Sequence, residues 1–247
     1  FILDSPANDI YLSSSSSSAI ESLIPSSKVS ITGTGYKPYA VFKGTLVVDQ
    51  NVNLDDTNDA YNRLDFMSSK TIINPGIIMS GTGNNVSAVG QRNYTGTSGR
   101  NEVIVINNGT IKQTGQNVIG IVTDYGNITN AGLISSTGDN SIGIYAVNGA
   151  KVENQAGSEI TIGKSGTGIF AEGYKQGTAQ SFGDGKLDIK NSGLIKSGTG
   201  SGAVGIFLSN NSGAAKSDIK LDLDNGVINL KDSENAVGVY VDKGTVT

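Results

Sequence analysis

The sequence predicts an all-β protein: a right-handed parallel β-helix, or solenoid, with rungs of about 23–25 residues. A short phrase built on Asn, Gly and Ile recurs along the chain and closes on a second Gly-Ile pair. Gly accounts for 34 of 247 residues, about twice its usual share of ~7%, which indicates many tight turns. Aromatic residues make up only 6%, so the core is expected to be aliphatic.

The repeat gives the rung length. Clear copies are Asn107-Asn-Gly109-Thr-Ile111 and Asn130-Ala-Gly132-Leu-Ile134. The closing glycines, separated by 30, 23, 25, 37 and 33 residues, are Gly90, Gly120, Gly143, Gly168, Gly205 and Gly238. The shortest spacings fit one rung of three short strands, and the longer ones fit a rung plus an insertion. A leucine-rich repeat has a similar length, but its Leu-x-x-Leu-x-Leu signature is missing.

Each rung is expected to bury one residue in each of three columns of aliphatic side chains. β-Branched residues suit such columns because they pack well on a pleated surface. The first column comprises Ile72, Val105, Ile128, Val152 and Ile189. The second comprises Ile78, Ile111, Ile134, Ile162, Ile195 and Ile228, and the third Ile121, Ile144, Ile169, Ile206 and Val239.

A column of asparagines is expected at one corner of the rungs. Asn tolerates the left-handed conformation of a tight corner, and its amide can bond to the matching amide one rung away. The expected members are Asn74, Asn107, Asn130, Asn154 and Asn191.

Three insertions interrupt the rungs, at about residues 91–102, 171–188 and 208–220. They carry aromatic and basic residues that the rungs lack, and loops on a solenoid usually hold its binding surface. The alternative is a set of ordinary exposed loops. The candidate partner-binding residues are Arg92, Tyr94, Arg100, Tyr174, Lys175 and Phe182.

The chain divides into an irregular N-terminal region, residues 1–70, and β-helix repeats over residues 71–247. The first region fits the period poorly and contains the serine run Ser13–Ser18. It is either a cap that covers the open end of the stack or a set of earlier rungs. Because Phe1 is not an initiator Met and the chain stops where another Asn is due, we expect an internal piece of a longer stack, truncated at its C-terminal end.

Composition excludes several classes of site. The chain has no Cys, His or Trp, so disulfides, Cys/His zinc sites and His-assisted nucleophiles are ruled out. A net charge of −4 argues against nucleic-acid binding, which needs a basic surface. No segment approaches the ~20 apolar residues of a membrane span, so direct membrane insertion is not expected.

Three motif matches are attributed to the repeat or to solvated loops. Gly200-Ser-Gly202-Ala-Val-Gly205 matches a dinucleotide fingerprint, but the helix that the fingerprint requires is not expected here. Gly163-Lys-Ser165 lacks the upstream Gly of a phosphate-binding loop. The acidic run at residues 55–65 has Ala60 where a calcium-binding loop needs Gly. No catalytic, cofactor-binding or metal-binding residue is therefore predicted, and no cofactor.

The repeat resembles the passenger domains of type Va autotransporters, and its Lys-, Asn-, Ile- and Ser-rich, Cys-free style is most similar to the large fusobacterial outer-membrane autotransporter adhesins. The resemblance covers residues 70–247 well and residues 1–70 loosely. It implies an exported, cell-surface passenger, displayed by an outer-membrane β-barrel outside this sequence or released from it. It also implies adhesion to other bacteria or to host receptors or glycans. The chain is expected to be a monomer.

Three functions remain open from the sequence. The first is an adhesin segment that binds partners through its loops, and the second is a structural spacer. The third is a polysaccharide lyase or hydrolase, because enzymes of the pectate-lyase type have a similar fold. Such an enzyme needs basic residues beside acidic ligands, yet the only arginines are Arg63, Arg92 and Arg100. The sequence therefore favours a protein that is not an enzyme.

Overall fold

The computed structural model describes residues 2–4, 30–32, 45–48, 52–54, 63–66, 70–92, 102–173, 185–209, 218–242 and 245–246. Within these ranges every regular element is a β-strand. In chain order the strands are β1 (Ile2–Asp4), β2 (Ser30–Thr32), β3 (Thr45–Val48), β4 (Val52–Asn53), β5 (Arg63–Phe66), β6 (Lys70–Ile73), β7 (Ile78–Gly81), β8 (Ser87–Arg92), β9 (Val103–Asn107), β10 (Thr110–Gln113), β11 (Ile119–Asn130), β12 (Leu133–Ser136), β13 (Ile142–Asn154), β14 (Glu159–Ile162), β15 (Thr167–Glu172), β16 (Leu187–Asn191), β17 (Leu194–Ser197), β18 (Gly200–Ser201), β19 (Val204–Ser209), β20 (Asp218–Asp222), β21 (Val227–Asn229), β22 (Ser233–Glu234), β23 (Val237–Asp242) and β24 (Thr245–Val246).

Twenty of the 24 strands described pair in three parallel ladders, and β18 and β22 form a separate parallel pair. The first ladder runs β3, β6, β9, the second half of β11, the second half of β13, β16, β20 and β24. The second runs β4, β7, β10, β12, β14, β17 and β21. The third runs β5, β8, the first half of β11, the first half of β13, β15, β19 and β23. This all-β arrangement of parallel ladders is compatible with a β-helix or another solenoid.

The third predicted column of the core is confirmed. Its five members are in register from strand to strand, with Val89 added before Ile121. Ile121, Ile144, Ile169 and Ile206 are fully buried. The alternating burial of these strands places the next residue of each strand on the outer face, as the two-residue period of a strand requires.

The first two columns contain three errors. Thr71, not Ile72, pairs with Val105 and lies inside. Met79, not Ile78, pairs with Ile111, and Ile78 is 43% exposed. A shift of one residue turns every side chain of a strand to its other face, so a repeat aligned one position out predicts the wrong face.

The third error concerns the fourth copy of the repeat. Ile160 pairs with Ile134, and Ile162 pairs with Ser136 two positions further on. The cause is a longer turn, because four residues lie between Asn154 and Glu159 whereas two lie between Asn130 and Leu133. Ile162 is still fully buried, since it points inward from the same strand as Ile160.

The closing glycines are needed for space. A Cβ added at Gly168 would lie 2.5 Å from the Gly205 carbonyl oxygen and 2.6 Å from Ile195 Cγ2. Gly120, Gly143 and Gly205 meet the next glycine and an isoleucine of the second column in the same way. The prediction was wrong for Gly90, which pairs with Val122 rather than lying above Gly120.

Four of the five predicted asparagines form a buried column. Nδ2 of Asn107, Asn130 and Asn154 donates to Oδ1 of the next member at 2.7–2.8 Å, ending on Asn191. Asn74 is not a member, because Ile73 pairs with Asn107. The expected left-handed conformation is wrong for these four, which end strands with ordinary φ values.

The left-handed corner lies elsewhere in the repeat. Six residues there have φ between 52° and 75°, and the backbone N–H of each of the first five donates to the carbonyl that precedes the next member. We call them the left-handed column: Asn85, Asn117, Asn140, Ser165, Gly202 and Asn235. Asn and Gly suit this conformation better than other residues.

Residues 45–66 contribute one strand to each ladder. β3 pairs with β6, β4 with β7 and β5 with β8, all in parallel. β1 and β2 form a separate parallel pair. The division of the chain at residue 70 stays a prediction.

Candidate functional site

The three insertions leave the stack at the same corner. The third-ladder strands end at Arg92, Asp124, Val147, Glu172, Ser209 and Asp242, which are in register. The chain then re-enters the first ladder at positions that are also in register, Val103, Gly126, Ala150, Leu187 and Ile219. We call this the insertion corner. Its connections are residues 93–102, 125, 148–149, 173–186 and 210–217.

One candidate binding residue has a described backbone position. Arg92 is the last residue of β8 and pairs with Asp124 of β11. Its chain position places the first insertion directly after it. The other candidates lie outside the described residues, and their roles stay predictions: Tyr94, Arg100, Tyr174, Lys175 and Phe182.

Two short connections lie side by side between the first and second insertions. Tyr125 alone turns β11 through the corner with φ of 59°, and Asn148 and Gly149 turn β13 with φ of 64° and 97°. A left-handed conformation strains a bulky residue such as Tyr125 by about 1–3 kcal/mol, and strain of this kind clusters at functional sites. Asn148 Nδ2 donates to Asp124 Oδ1 at 2.6 Å and joins the two connections.

The short connections border an open cleft of about 250 Å³. Glu102 lies at one side, where the first insertion returns to the stack, and Lys186 lies at the other, where the second insertion returns. Between them the cleft is lined by the two corners and the strands that follow: Tyr125, Gly126, Asn127, Gly149, Ala150, Lys151 and Asp188. In the sequence the two short connections lie between the two longer ones, whose last residues are Glu102 and Lys186.

The lining is polar and charged. Asn127, Lys151 and Asp188 form one outward column of the first ladder, in register on β11, β13 and β16. The column continues to Lys220, whose Nζ lies 3.8 Å from Asp188 Oδ1. Lys151, Lys186 and Glu102 are exposed. Chemically, the cleft offers ammonium groups, carboxylates, an amide and a phenol for hydrogen bonding.

An aromatic column on the outer face of the third ladder was missed from the sequence. Tyr145, Phe170, Phe207 and Tyr240 are in register. The ring centroids are 5.2, 4.5 and 5.1 Å apart in turn, and the last two pairs are stacked with interplanar angles of 11° and 23°. The signal was present, because each ring directly follows the closing Gly-Ile or Gly-Val pair.

The aromatic column contributes more to packing than to ligand recognition. The rings of Phe170, Phe207 and Tyr240 cover one another's faces, and Tyr145 Oη donates to Glu172 Oε2 at 2.8 Å. Tyr240 ends the described stack, and its side chain is among the most exposed apolar ones described. The cleft at the insertion corner is the stronger candidate site.

Comparison with known proteins gives no match among protein-family models, curated proteins or solved structures. Across the residues described here, no group of three or more Asp or Glu side chains is placed to hold a metal ion. The same part of the chain contains no helix of the length and apolarity needed to cross a membrane.

Proposed function

We propose that this chain is a surface-displayed segment of an autotransporter-type passenger, and that it binds a host receptor, a host glycan or another bacterium through its insertion corner. The scaffold is a right-handed parallel β-helix with rungs of about 23–25 residues and loop insertions. The protein is an adhesin held at the cell surface or released from it, as the resemblance of its repeats implies, and it acts as a monomer.

Strand register supports the proposed rung length. Ile121 pairs with Ile144, Ile128 with Val152 and Ile144 with Ile169, which are offsets of 23, 24 and 25 residues. One parallel neighbour per repeat is what a β-helix requires. An experimental structure tests this part of the proposal, and a left-handed coil or a different rung would overturn it.

The observation that carries the binding proposal is the concentration of variable connections at one corner. Connections of very different length leave the stack there, while the buried columns stay in register across them. Loops positioned by a rigid scaffold are where binding residues concentrate. The strained corner at Tyr125 and the cleft beside it lie at the same place.

A second candidate, a spacer that provides length, is favoured by the regularity of the stack. Three of its continuous columns are the buried asparagines, the left-handed corners and the stacked rings. Such columns add stiffness without providing a binding surface. The two functions predict different binding behaviour.

Binding of the labelled 247-residue chain to bacterial cells, epithelial cells and a glycan panel separates them. The test variant combines Arg92→Ala, Tyr94→Ala and Arg100→Ala. The control combines Lys112→Ala and Lys231→Ala, two exposed residues away from the insertion corner. Saturable binding lost only in the test variant supports adhesion through the first insertion. If neither the original chain nor either variant binds, the spacer is supported. Equal binding by the test and control variants removes the first insertion as the site.

A further inference from the structure

We propose that six charged side chains on the outer face of the first ladder select the register in which β13, β16 and β20 stack. We call them the charge grid: Lys151 and Glu153 on β13, Asp188 and Lys190 on β16, and Lys220 and Asp222 on β20. The inference is independent of the proposed function, because an adhesin and a spacer both need a correctly stacked scaffold.

Every neighbouring pair in the charge grid has opposite sign. In one column Lys151 pairs with Asp188, and Asp188 pairs with Lys220 across a distance of 3.8 Å from Oδ1 to Nζ. The column beside it, formed by the other three members in the same register, has the reverse order of signs. Along each strand the two charges are two residues apart, or about 6–7 Å. Opposite charges on neighbouring strands stabilise a sheet, and like charges destabilise it.

The charge grid lies where long connections leave the register poorly defined. Lys151 and Asp188 are 37 positions apart across the second insertion, and Asp188 and Lys220 are 32 positions apart across the third. Between β11 and β13 the offset is only 24, and the outward residues of β11 are the uncharged Asn127 and Thr129. The grid does not extend to β6 and β9, which pair across the first insertion.

A slip of two residues is the register that competes with the native one. A slip of one residue would turn the apolar side chains outward, so burial alone excludes it. A slip of two residues keeps them inside, and burial then discriminates weakly. Depending on its direction, such a slip of β16 along β13 would place Lys190 opposite Lys151 or Asp188 opposite Glu153. Either direction replaces attraction by repulsion.

Buried hydrogen bonds define only one of the two pairings. The side-chain bond from Asn154 to Asn191, at 2.7 Å, also opposes a slip of β16 along β13. Asn191 Nδ2 itself has no hydrogen-bond partner among the described residues, because Leu223 lies where another Asn would continue the column. The register of β20 on β16 therefore depends more strongly on the charge grid.

The charge grid opposes two further mispairings. If β20 stacked directly on β13, Lys220 would lie opposite Lys151, and Asp222 would lie opposite Glu153. If one of these strands paired in register with the same strand of another copy, each charge would meet its own equivalent. Unpaired strand edges promote such pairing between chains, and charged side chains are a common means of preventing it.

The test exchanges the two charges of β16. The variant Asp188→Lys, Lys190→Asp keeps the composition and the net charge, and it turns all four cross-strand pairs into like-charge pairs. We expect its equilibrium constant for unfolding, from urea denaturation, to rise by about tenfold. We also expect a smaller fraction to return to the native monomer on refolding. The control Lys231→Asp, Asp232→Lys makes the same exchange at an exposed corner outside the first ladder and should behave like the original chain.

A compensating variant separates register selection from a local defect. It adds Lys151→Glu, Glu153→Lys, Lys220→Asp and Asp222→Lys to the β16 exchange, which restores the charge grid with every sign reversed. We expect most of the stability and of the refolding yield to return. Recovery should be incomplete, because Asp222 Oδ1 accepts a hydrogen bond from the Asp224 backbone N–H at 2.9 Å, which the variant loses.

Salt provides an independent measurement. At about 0.5 M salt the Debye length falls to about 4 Å, so the difference between the β16 exchange and the original chain should shrink. Four results would overturn the inference: a β16 exchange that behaves like the control, one that is less stable but still refolds completely to the native monomer, a compensating variant that recovers nothing, or a loss that is equal at low and high salt.

Discussion

Asn154 Nδ2 donates to Asn191 Oδ1 at 2.7 Å, although the two lie 37 positions apart in the sequence, on either side of the second insertion. The same side-chain hydrogen bond joins Asn130 to Asn154 at 2.8 Å across 24 positions, where the connection is short. The buried column is therefore insensitive to the length of chain that leaves the insertion corner. The buried columns and the insertions can therefore be perturbed independently of each other.

Asn130→Ala should destabilise the protein by about 1–3 kcal/mol, because it removes the acceptor of Asn107 Nδ2 inside the core. Asn117→Gly is the control, because Asn117 is exposed and its side-chain hydrogen bonds are longer, at 3.1 and 3.3 Å. Gly also adopts the φ of 54° at this position without strain. We expect the control to stay within about 0.5 kcal/mol. Urea denaturation followed by circular dichroism measures both, and equal midpoints would contradict a buried column.

Gly168→Ala should cost about 1–3 kcal/mol, since the new Cβ would overlap the Gly205 carbonyl and Ile195. Gly238→Ala provides a matched control in the same column, because a Cβ at Gly238 meets nothing within 4 Å. The melting temperature should fall only for Gly168→Ala. A similar loss for both would show that these glycines are needed for backbone conformation and not for space.

Ile134→Asp should destabilise the stack by several kcal/mol, because it places an unpaired charge between Ile111 and Ile160. The neighbouring change Ser135→Asp puts the same carboxylate on the outer face beside Lys112. We expect that control to unfold within about 0.5 kcal/mol of the original chain. Comparable losses in thermal unfolding would mean that the assignment of inner and outer faces is reversed.

Tyr145 should resist ionisation. Burial, the hydrogen bond to Glu172 and the charge of Glu172 all raise the pKa of its phenol above the ordinary value. The neutral phenol contributes fully to stability below about pH 10, and this contribution is lost as the pH rises through the folded-state pKa. The free energy of unfolding should therefore fall more steeply above pH 10 in the original chain than in Tyr145→Phe.

Ultraviolet titration of the phenolate checks this prediction directly. The difference between the original chain and Tyr145→Phe isolates one of the nine tyrosines. Glu172→Gln removes the carboxylate charge and should move the pKa of Tyr145 back toward its ordinary value. An unchanged titration in Glu172→Gln would leave burial as the only cause of the shift.

The repeat predicted the fold class and the third column because Gly-Ile recurs with little variation. The errors at Ile72 and Ile78 arose where the earliest copy was aligned on the wrong residue, and the two-residue period of a strand turned one position into the wrong face. Spacing alone does not fix register in a copy whose flanking turns differ.

The left-handed column was predictable in principle. Asn117 and Asn140 each stand three residues before a closing glycine, as do Ser165, Gly202 and Asn235. The prediction assigned the left-handed conformation instead to the asparagines of the buried column, which precede the first glycine of each repeat. The buried asparagines and those of the left-handed column both form hydrogen-bonded columns. Only the left-handed column needs residues that tolerate positive φ.

The cleft had no comparable signal. Glu102, Tyr125, Lys151 and Lys186 are far apart in sequence and belong to different repeats. They meet only because two short connections lie between two long ones when the repeats stack. The spacings of 23 and 25 residues marked the short connections, but not the corner at which they lie.

The contrast between the two corners has a consequence for how such a chain can change. At the left-handed column an added residue would displace a run of backbone bonds that links six repeats. At the insertion corner, connections of one residue and of more than ten already coexist above the same buried columns. New surface can thus be acquired, lost or exchanged along a single seam without redesigning the core. A foreign peptide grafted at Asn148–Gly149 would be displayed on that seam.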